Sequence, residues 1–308
     1  MKAVRVTTWG QPVTVEEIEQ PTAGPGEVLV RVRAAGVNKV DYFIAAGYLQ
    51  GMLSVPRTQG TDFAGDVVEV GDGVTHVQPG DAVYGLITMQ GGAFAEYLVV
   101  QGGQVARKPQ SLDYVQAAAV PLVALTAWQS LFDTAGVQAG ERVLVHGAAG
   151  GVGSVATQLA KHAGAYVIGT AGADRAERVR ELGADEHIDP QAGPFAERVQ
   201  DIDVVVDTVG GDVVQQSYAV LKRGGRLATP AAQIAPEEVA AQAQERGITV
   251  AGVWTQPNAQ QLEQVAALID AGKVKVFVSD ILPLERAQEA QELVATGHPR
   301  GKVVLQVA

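Results

Sequence analysis

Short runs of alternating apolar and polar residues fill the first third of the chain. "KAVRVTTW", "VTVEEIE", "EVLVRVRAAGV", "DFAGDVVEVG", "DAVYGLI" and "FAEYLVV" are rich in Val, Thr and aromatics, and turn signals such as "AGPGE", "GDG" and "QPGD" separate them. Period-two alternation bounded by Gly, Pro and Asp predicts strands, here a compact barrel-like or sandwich β unit. The texture changes near Ser111. "SLDYVQAAAVPLVALTAWQSLFDTAG" carries its apolar residues at helical spacing, with Ser111 and Asp113 placed to cap its start.

From there strand and helix patterns alternate. "RVLVHGA" precedes "GSVATQLAKHAG", "YVIGTAG" precedes "RAERVRELG", and "DVVVDTVG" precedes "VVQQSYAVLKRGG"; "RLATPA" and "ITVAGVW" add strands. Apolar strand runs joined by amphipathic helices predict βαβ crossovers and a doubly wound parallel sheet, hence an α/β fold. "NAQQLEQVAALIDAG" is a further amphipathic helix opened by Asn258, and the tail reads strand, helix, strand. The last strand resembles the β unit, so the chain is expected to return to it. The expected division is 1–118, 119–272 and a returning segment 273–308. There are no repeats and no low-complexity linkers.

The strand "RVLV" runs into Gly147, Gly150, Gly151 and Gly153, and a helix with Val155, Leu159 and Ala160 on its apolar stripe follows. A glycine cluster alone is a turn. Strand, glycines and helix in this order make a dinucleotide site. Gly150 permits close backbone approach, Gly151 leaves a pyrophosphate unobstructed, and Gly153 lets helix and strand pack. The helix N-terminus offers free N–H groups. Ala148 stands where G-x-G-x-x-G has glycine, which is tolerable if that position does not need a positive φ.

The second strand ends at Thr170, Ala171 and Gly172, with no acidic residue to hold a ribose 2′-hydroxyl, and Arg175 follows. That combination favours NADPH over NADH. Two alternatives stay open: Arg175 is a solvated residue paired with Asp174, or Asp174 is a displaced acid.

Composition narrows the partners. The 308 residues carry 34 Asp+Glu against 23 Lys+Arg, a formal net charge of −11, without a basic run. Nucleic acid and anionic membrane are therefore disfavoured. There is no Cys, which removes disulfides, thiolate nucleophiles and Cys-based zinc sites. The five His residues (His76, His146, His162, His187, His298) are scattered and read as surface or packing residues. No apolar run approaches the ~18–20 residues that span a bilayer, and no signal-type stretch precedes the first strand. The expectation is a soluble cytoplasmic protein.

The motifs "AAGVNKVD", "GTDFAGDVVEVGDGV", "PGDAVYG", "GGAFAEY", "LTAWQSLF", "VLVHGAAGGVGSVATQLAK", "LGADEHID", "VVVDTVGG" and "GHPRGKVVL" occur in one order over nearly the whole chain. Together they resemble the medium-chain dehydrogenase/reductase superfamily, in its zinc-independent quinone oxidoreductase (zeta-crystallin-like) branch. "AAGGVG" matches the branch's own form of the glycine motif. The resemblance implies a GroES-like β domain, a Rossmann domain, a cleft between them, and a homodimer. Zinc-dependent relatives have Cys where this chain has Asn38 and His where it has Thr61, so the resemblance implies no zinc. It implies hydride delivery from NADPH to a small apolar quinone, or to the β-carbon of an enone or enal.

By the same resemblance, Asn38 and Asp41 face the nicotinamide. Asn38 would donate to a substrate carbonyl or else cap the strand-to-helix turn; Asp41 would fix Asn38 or Lys39. Tyr42 and Tyr48 are candidate pocket or proton-relay residues, and Leu49, Met52 and Leu53 suggest an apolar acceptor site or loop packing. The cofactor set implied is Thr126, the loop Ala149, Gly150, Gly151, Val152 and Gly153, then Thr170, Gly172 and Arg175, Val209 and Gly210, and Val253 beside Trp254. Arg300 and Lys302 would reach the phosphates or lie as surface charges. Pro190 replaces a Tyr of many relatives and weakens the NADPH assignment. Two other activities stay open: enoyl-thioester reduction, and nucleotide binding without turnover.

Overall fold

The computed structural model describes residues 1–87, 91–231, 237–295 and 300–307, with backbone alone over 237–240. His298 lies outside these residues. The chain forms two compact units, Met1–Leu122 with Gln256–Ala308, and Val123–Thr255.

The first unit begins with β1 (Lys2–Val6), β2 (Thr14–Glu17), β3 (Glu27–Val37), α1 (Lys39–Ala45), β4 (Arg57–Thr58), β5 (Asp62–Val70), β6 (Ala82–Leu86), β7 (Tyr97–Gln101), β8 (Val105–Arg107) and α2 (Tyr114–Ala118). The chain enters the second unit along α3 (Pro121–Trp128), then β9 (Arg142–His146), α4 (Gly151–His162), β10 (Tyr166–Thr170), α5 (Ala176–Glu181), β11 (Glu186–Ile188), β12 (Ile202–Asp207), α6 (Asp212–Ser217), β13 (Leu221–Thr229), α7 (Glu237–Arg246) and β14 (Thr249–Gly252). It returns through α8 (Ala259–Asp270), β15 (Val278–Pro283), α9 (Ala287–Ala295) and β16 (Lys302–Gln306).

β3 organises the first unit. Its eleven residues "EVLVRVRAAGV" are buried at all but three positions, because both of its edges are occupied. β5 runs antiparallel along one edge. The other edge is shared, with β7 opposite Glu27–Arg31 and β16 opposite Ala34–Val37. Inward side chains such as Val28, Val30, Phe63, Phe94 and Leu305 form one core. The last residues of β3 therefore meet the first residues of β5 and β16.

Asp113 caps α2 by accepting from Gln116 N. Ser111 instead donates to Asp270, whose carboxylate also takes the backbone N–H groups of Gln110 and Ser111. Tyr84 Oη donates to Leu262 O at 2.6 Å. These bonds seat α8 on the first unit, so the second unit ends at Thr255 rather than at the expected residue 272.

The second unit is a six-stranded parallel sheet in the order β11-β10-β9-β12-β13-β14. Counted within the unit this is 3-2-1-4-5-6, the dinucleotide-binding order, whose switch point lies between β9 and β12. Central strands β9 and β12 are apolar runs buried almost throughout, as a sheet covered on both faces requires. α4 lays Val155, Ala156, Leu159 and Ala160 against the sheet.

Ala148 explains itself here. Its φ is not positive, and its methyl packs against β10, where the sequence supplies Gly169. A Cβ on Gly169 would lie 2.8 Å from the Ala148 methyl and 2.6 Å from Val179 Cγ1. The methyl missing from β10 makes room for the one added to the loop. Gly169→Ala is expected to cost about 1–3 kcal/mol by overpacking, read by chemical denaturation. Adding Ala148→Gly should return part of that loss; the same cost in both backgrounds would contradict this packing.

Candidate active site

At the end of β3 the sequence runs Gly36-Val37-Asn38, and register places Asp62 opposite Gly36 and Val303 opposite Val37. Gly36 has a reason: a Cβ there would lie 2.3 Å from Ala118 O and about as close to the Asp62 carboxylate as contact allows, 3.1 Å. The first residue of β5, the first of β16 and the N-cap of α1 thus share one buried spot. Asn38 is 5% exposed, Asp62 0% and Lys302 7%.

The three side chains form a closed network. Lys302 Nζ donates to Val37 O at 3.1 Å and to Asn38 Oδ1, and lies 3.7 Å from Asp62 Oδ2. Asn38 Nδ2 donates to Asp62 Oδ2 at 3.0 Å and approaches Thr61 Oγ1 at 3.4 Å. Asp62 Oδ1 accepts from Leu122 N at 2.9 Å. The ammonium fixes which end of the Asn38 amide is oxygen, so Nδ2 faces the carboxylate. Asn38 is the N-cap of α1 and forms a capping box with Asp41. Asp41 supplies the return arm of that box, accepting the Asn38 backbone N–H at 2.8 Å. Burial pushes Asp62 up to about 6, opposed by Lys302 and Asn38. Burial pushes Asp41 up to about 7, opposed by the Asn38 N–H. Burial lowers Lys302, opposed by Asp62 and Asp41.

Lys302 therefore sits inside the first unit, its ammonium committed to Asn38, Val37 and Asp62 rather than turned to a phosphate. Arg300 is exposed just before β16. Tyr48 is 74% exposed, its ring edge-on to Phe43 at 5.5 Å. Met52 and Leu53, from the same stretch, line a cavity of about 540 Å³ within the first unit, together with Arg5, Arg57 and Tyr97.

In the second unit the glycine loop lies at the carboxyl end of β9. Gly147 has φ +68°, and a Cβ there would strike Thr208 Oγ1 at 2.5 Å. A Cβ on Gly153 would meet Gly147 O at 2.1 Å, so Gly153 is what lets α4 start against the loop. Ala149 is buried, Gly150 is the N-cap, Gly151 is exposed and Val152 half-buried. The first-turn N–H groups of a helix have no acceptor within it, and here they lie at the switch point, where a pyrophosphate fits.

Thr170 is 4% exposed and turns its hydroxyl inward to His146, so it supports the loop from below instead of facing outward. Gly172 and Arg175 lie beyond it, with Arg175 Nε a loose 3.9 Å from Asp174 Oδ2. Arg178 lies near, its guanidinium lowered by burial and then by the Arg175 charge. Asp207 accepts the N–H groups of Val209 and Gly210, fixing the loop after β12; Val209 is 57% exposed. Thr126 Oγ1 and Thr255 Oγ1 share a 2.6 Å bond where the chain enters and leaves the unit. Val253 is half-buried, and its N–H is held by Thr229 O.

Periodicity gave no access to Asp62, to the partner of Lys302, or to His146. The one available signal was position: Asp62 and Lys302 each open a strand, and His146 immediately precedes the glycines.

Among the described residues, no three His, Cys, Asp or Glu side chains come together as metal ligands, and no helix is long and apolar enough to cross a membrane.

Residues 24–110 match the alcohol dehydrogenase GroES-like domain, and residues 182–305 match the zinc-binding dehydrogenase domain. The chain is 31% identical to human quinone oxidoreductase, over 99% of this chain and 97% of that protein. It is 34% identical to the mouse mitochondrial NAD(P)H oxidoreductase RTN4IP1, over 92% and 82% of the two chains. The crystal structure of Escherichia coli quinone oxidoreductase complexed with NADPH superposes with a TM-score of 0.89 at 28% identity, covering 99% of this chain and 100% of that one. With a GroES-like unit, a six-stranded Rossmann sheet and full-length relatives of this kind, the chain belongs to the medium-chain dehydrogenase/reductase superfamily, in its quinone oxidoreductase-like branch.

Proposed function

We propose that the protein is a zinc-independent, NADPH-dependent reductase of a small apolar quinone, or of an α,β-unsaturated ketone or aldehyde. The observation that carries this reading is the Lys302 ammonium seated among Val37 O, Asn38 and Asp62. Zinc needs several deprotonated or neutral donors converging on one point. Here the amide oxygen of Asn38 already faces a cation, and that cation also balances the Asp62 carboxylate. The donor set does not fit zinc, and a lysine supplies the local positive charge.

Without a Lewis acid to hold an alkoxide, a conjugated acceptor is the natural substrate. NADPH, when bound, supplies the hydride. The loop from Gly150 to Gly153 holds its pyrophosphate, and Arg175 holds its 2′-phosphate, against which no acidic side chain stands at the end of β10. As the acceptor carbon is reduced, the electron pair moves to its carbonyl oxygen. Asn38 Nδ2, whose contact with Thr61 at 3.4 Å is weak, donates to that oxygen and stabilises the enolate or hydroquinone anion. Lys302 on Oδ1 polarises the amide and strengthens this donor. A proton from water completes the product.

A steady-state screen of NADPH and NADH with quinones, enones, enals and enoyl thioesters tests this. Turnover of NADPH with a quinone or enone is expected. Tight NADPH binding with no turnover of any acceptor would contradict it, and turnover confined to thioesters would replace it. Arg175→Ala should raise the KM for NADPH by about tenfold, the loss of one charge-assisted contact, and leave that for NADH nearly unchanged. Equal effects on both would remove Arg175 from 2′-phosphate recognition.

A further inference from the structure

His146 is the last residue of β9, and register sets it beside Thr170 at the end of β10 and Asp207 at the end of β12. It is 2% exposed. Its ring lies edge-on to Phe195, with centroids 4.6 Å apart. Both ring nitrogens are engaged: Nδ1 lies 3.1 Å from Thr170 Oγ1, and Nε2 lies 3.0 Å from Ser217 Oγ on α6.

The hydroxyl partners fix the tautomer. Ser217 Oγ donates its proton to Val213 O at 2.7 Å, so it accepts from Nε2. Thr170 Oγ1 accepts the Gly147 N–H at 3.4 Å, and Nδ1 is the acceptor in reach for its own proton. Both counts place the ring hydrogen on Nε2 and leave Nδ1 bare. Burial agrees, holding the imidazole down at about 4 and therefore neutral.

The same residue is tied at its backbone. Thr208 Oγ1 donates to His146 O at 2.7 Å, and Ala148 N donates to Thr170 O at 2.9 Å. One imidazole thus joins three segments: the glycine loop after β9, the end of β10, and the loop and helix after β12. These segments carry Gly150–Gly153, Arg175, and Val209 with Gly210.

We propose that His146 is a positioning residue of the nucleotide site, a neutral Nε2-protonated imidazole that holds the glycine loop and the end of β10 in the arrangement that receives the pyrophosphate. The proposal rests on the reading of this loop as the NADPH site. It assigns a function to the histidine buried at the switch point, which touches no ligand itself. Its effect is preorganisation: the loop amides are aimed before the nucleotide arrives.

The test uses the full-length protein with 15N-labelled histidine and long-range 1H–15N spectra, the His146 signal being assigned by its loss in His146→Gln. An Nε2–H pattern unchanged from pH 5.5 to 9 is expected. An Nδ1–H pattern, or titration near pH 6.5, would overturn the assignment. In parallel, NADPH dissociation constants are measured by fluorescence titration for His146→Leu and His146→Gln. Leucine removes both bonds and should weaken binding about tenfold or more, with KM for NADPH rising more than kcat falls. Glutamine can accept at one end and donate at the other, and should restore binding to within about threefold. Leucine binding as tightly as wild type, or glutamine as weakly as leucine, would overturn the positioning role. Wild-type protein that does not bind NADPH would instead overturn the cofactor reading, and the tautomer spectrum would still stand or fall by itself. If the leucine variant does not fold, the glutamine titration and the spectrum decide.

Discussion

A single ammonium buried at the end of β3 sets what the first unit can do. Lys302 is desolvated, and a buried cation is tolerable only with hydrogen-bond acceptors and a counter-charge. Val37 O, Asn38 Oδ1 and Asp62 provide them. Gly36 leaves room for Ala118 O beside the Asp62 side chain, and the sharing of one β3 edge by β7 and β16 brings the first residue of β16 to Asn38. In return the cation fixes the orientation of the Asn38 amide. The charge that completes the sheet end thus also turns the Asn38 amide nitrogen toward Asp62.

The second unit reaches its chemistry through backbone rather than charge. Its loop has no cation of its own; it has glycines that let N–H groups be presented and a helix that begins where they point. Such a loop is only as good as its fixed geometry. Gly169 making room for Ala148, Thr208 closing on Gly147, and the bonds of His146 to Thr170 and Ser217 all serve that geometry. Both units thus use the same device, with small apolar positions clearing space for a polar group that must sit in one place.

The alternating patterns and the turn residues made most strands and helices legible in the sequence, and the strand–glycine–helix order made the glycine loop between β9 and α4 legible. Local chemistry was enough there, because each signal lies within about twenty residues. The buried cluster was not legible. Asn38 and Lys302 are 264 positions apart, and only the pairing of β16 with β3 joins them, so Lys302 read as a phosphate contact or a surface charge. Thr170 read as a member of the cofactor set because its place at the strand's end was visible and the bond of its hydroxyl to His146 was not. The boundary after Thr255 was missed for a similar reason: α8 follows the α/β alternation in sequence, but Asp270 and Leu262 bind it to the first unit.

The central claim is that Lys302 and Asp62 hold this site together as a pair. A double-mutant cycle of Lys302→Met and Asp62→Asn tests it, with unfolding of the first unit followed by Trp9 fluorescence in a background carrying Trp128→Phe and Trp254→Phe. Each single change leaves a buried group without its partner and should cost about 3–5 kcal/mol. The double variant should lose at least about 2 kcal/mol less than the sum of the two. Losses that simply add would contradict the account.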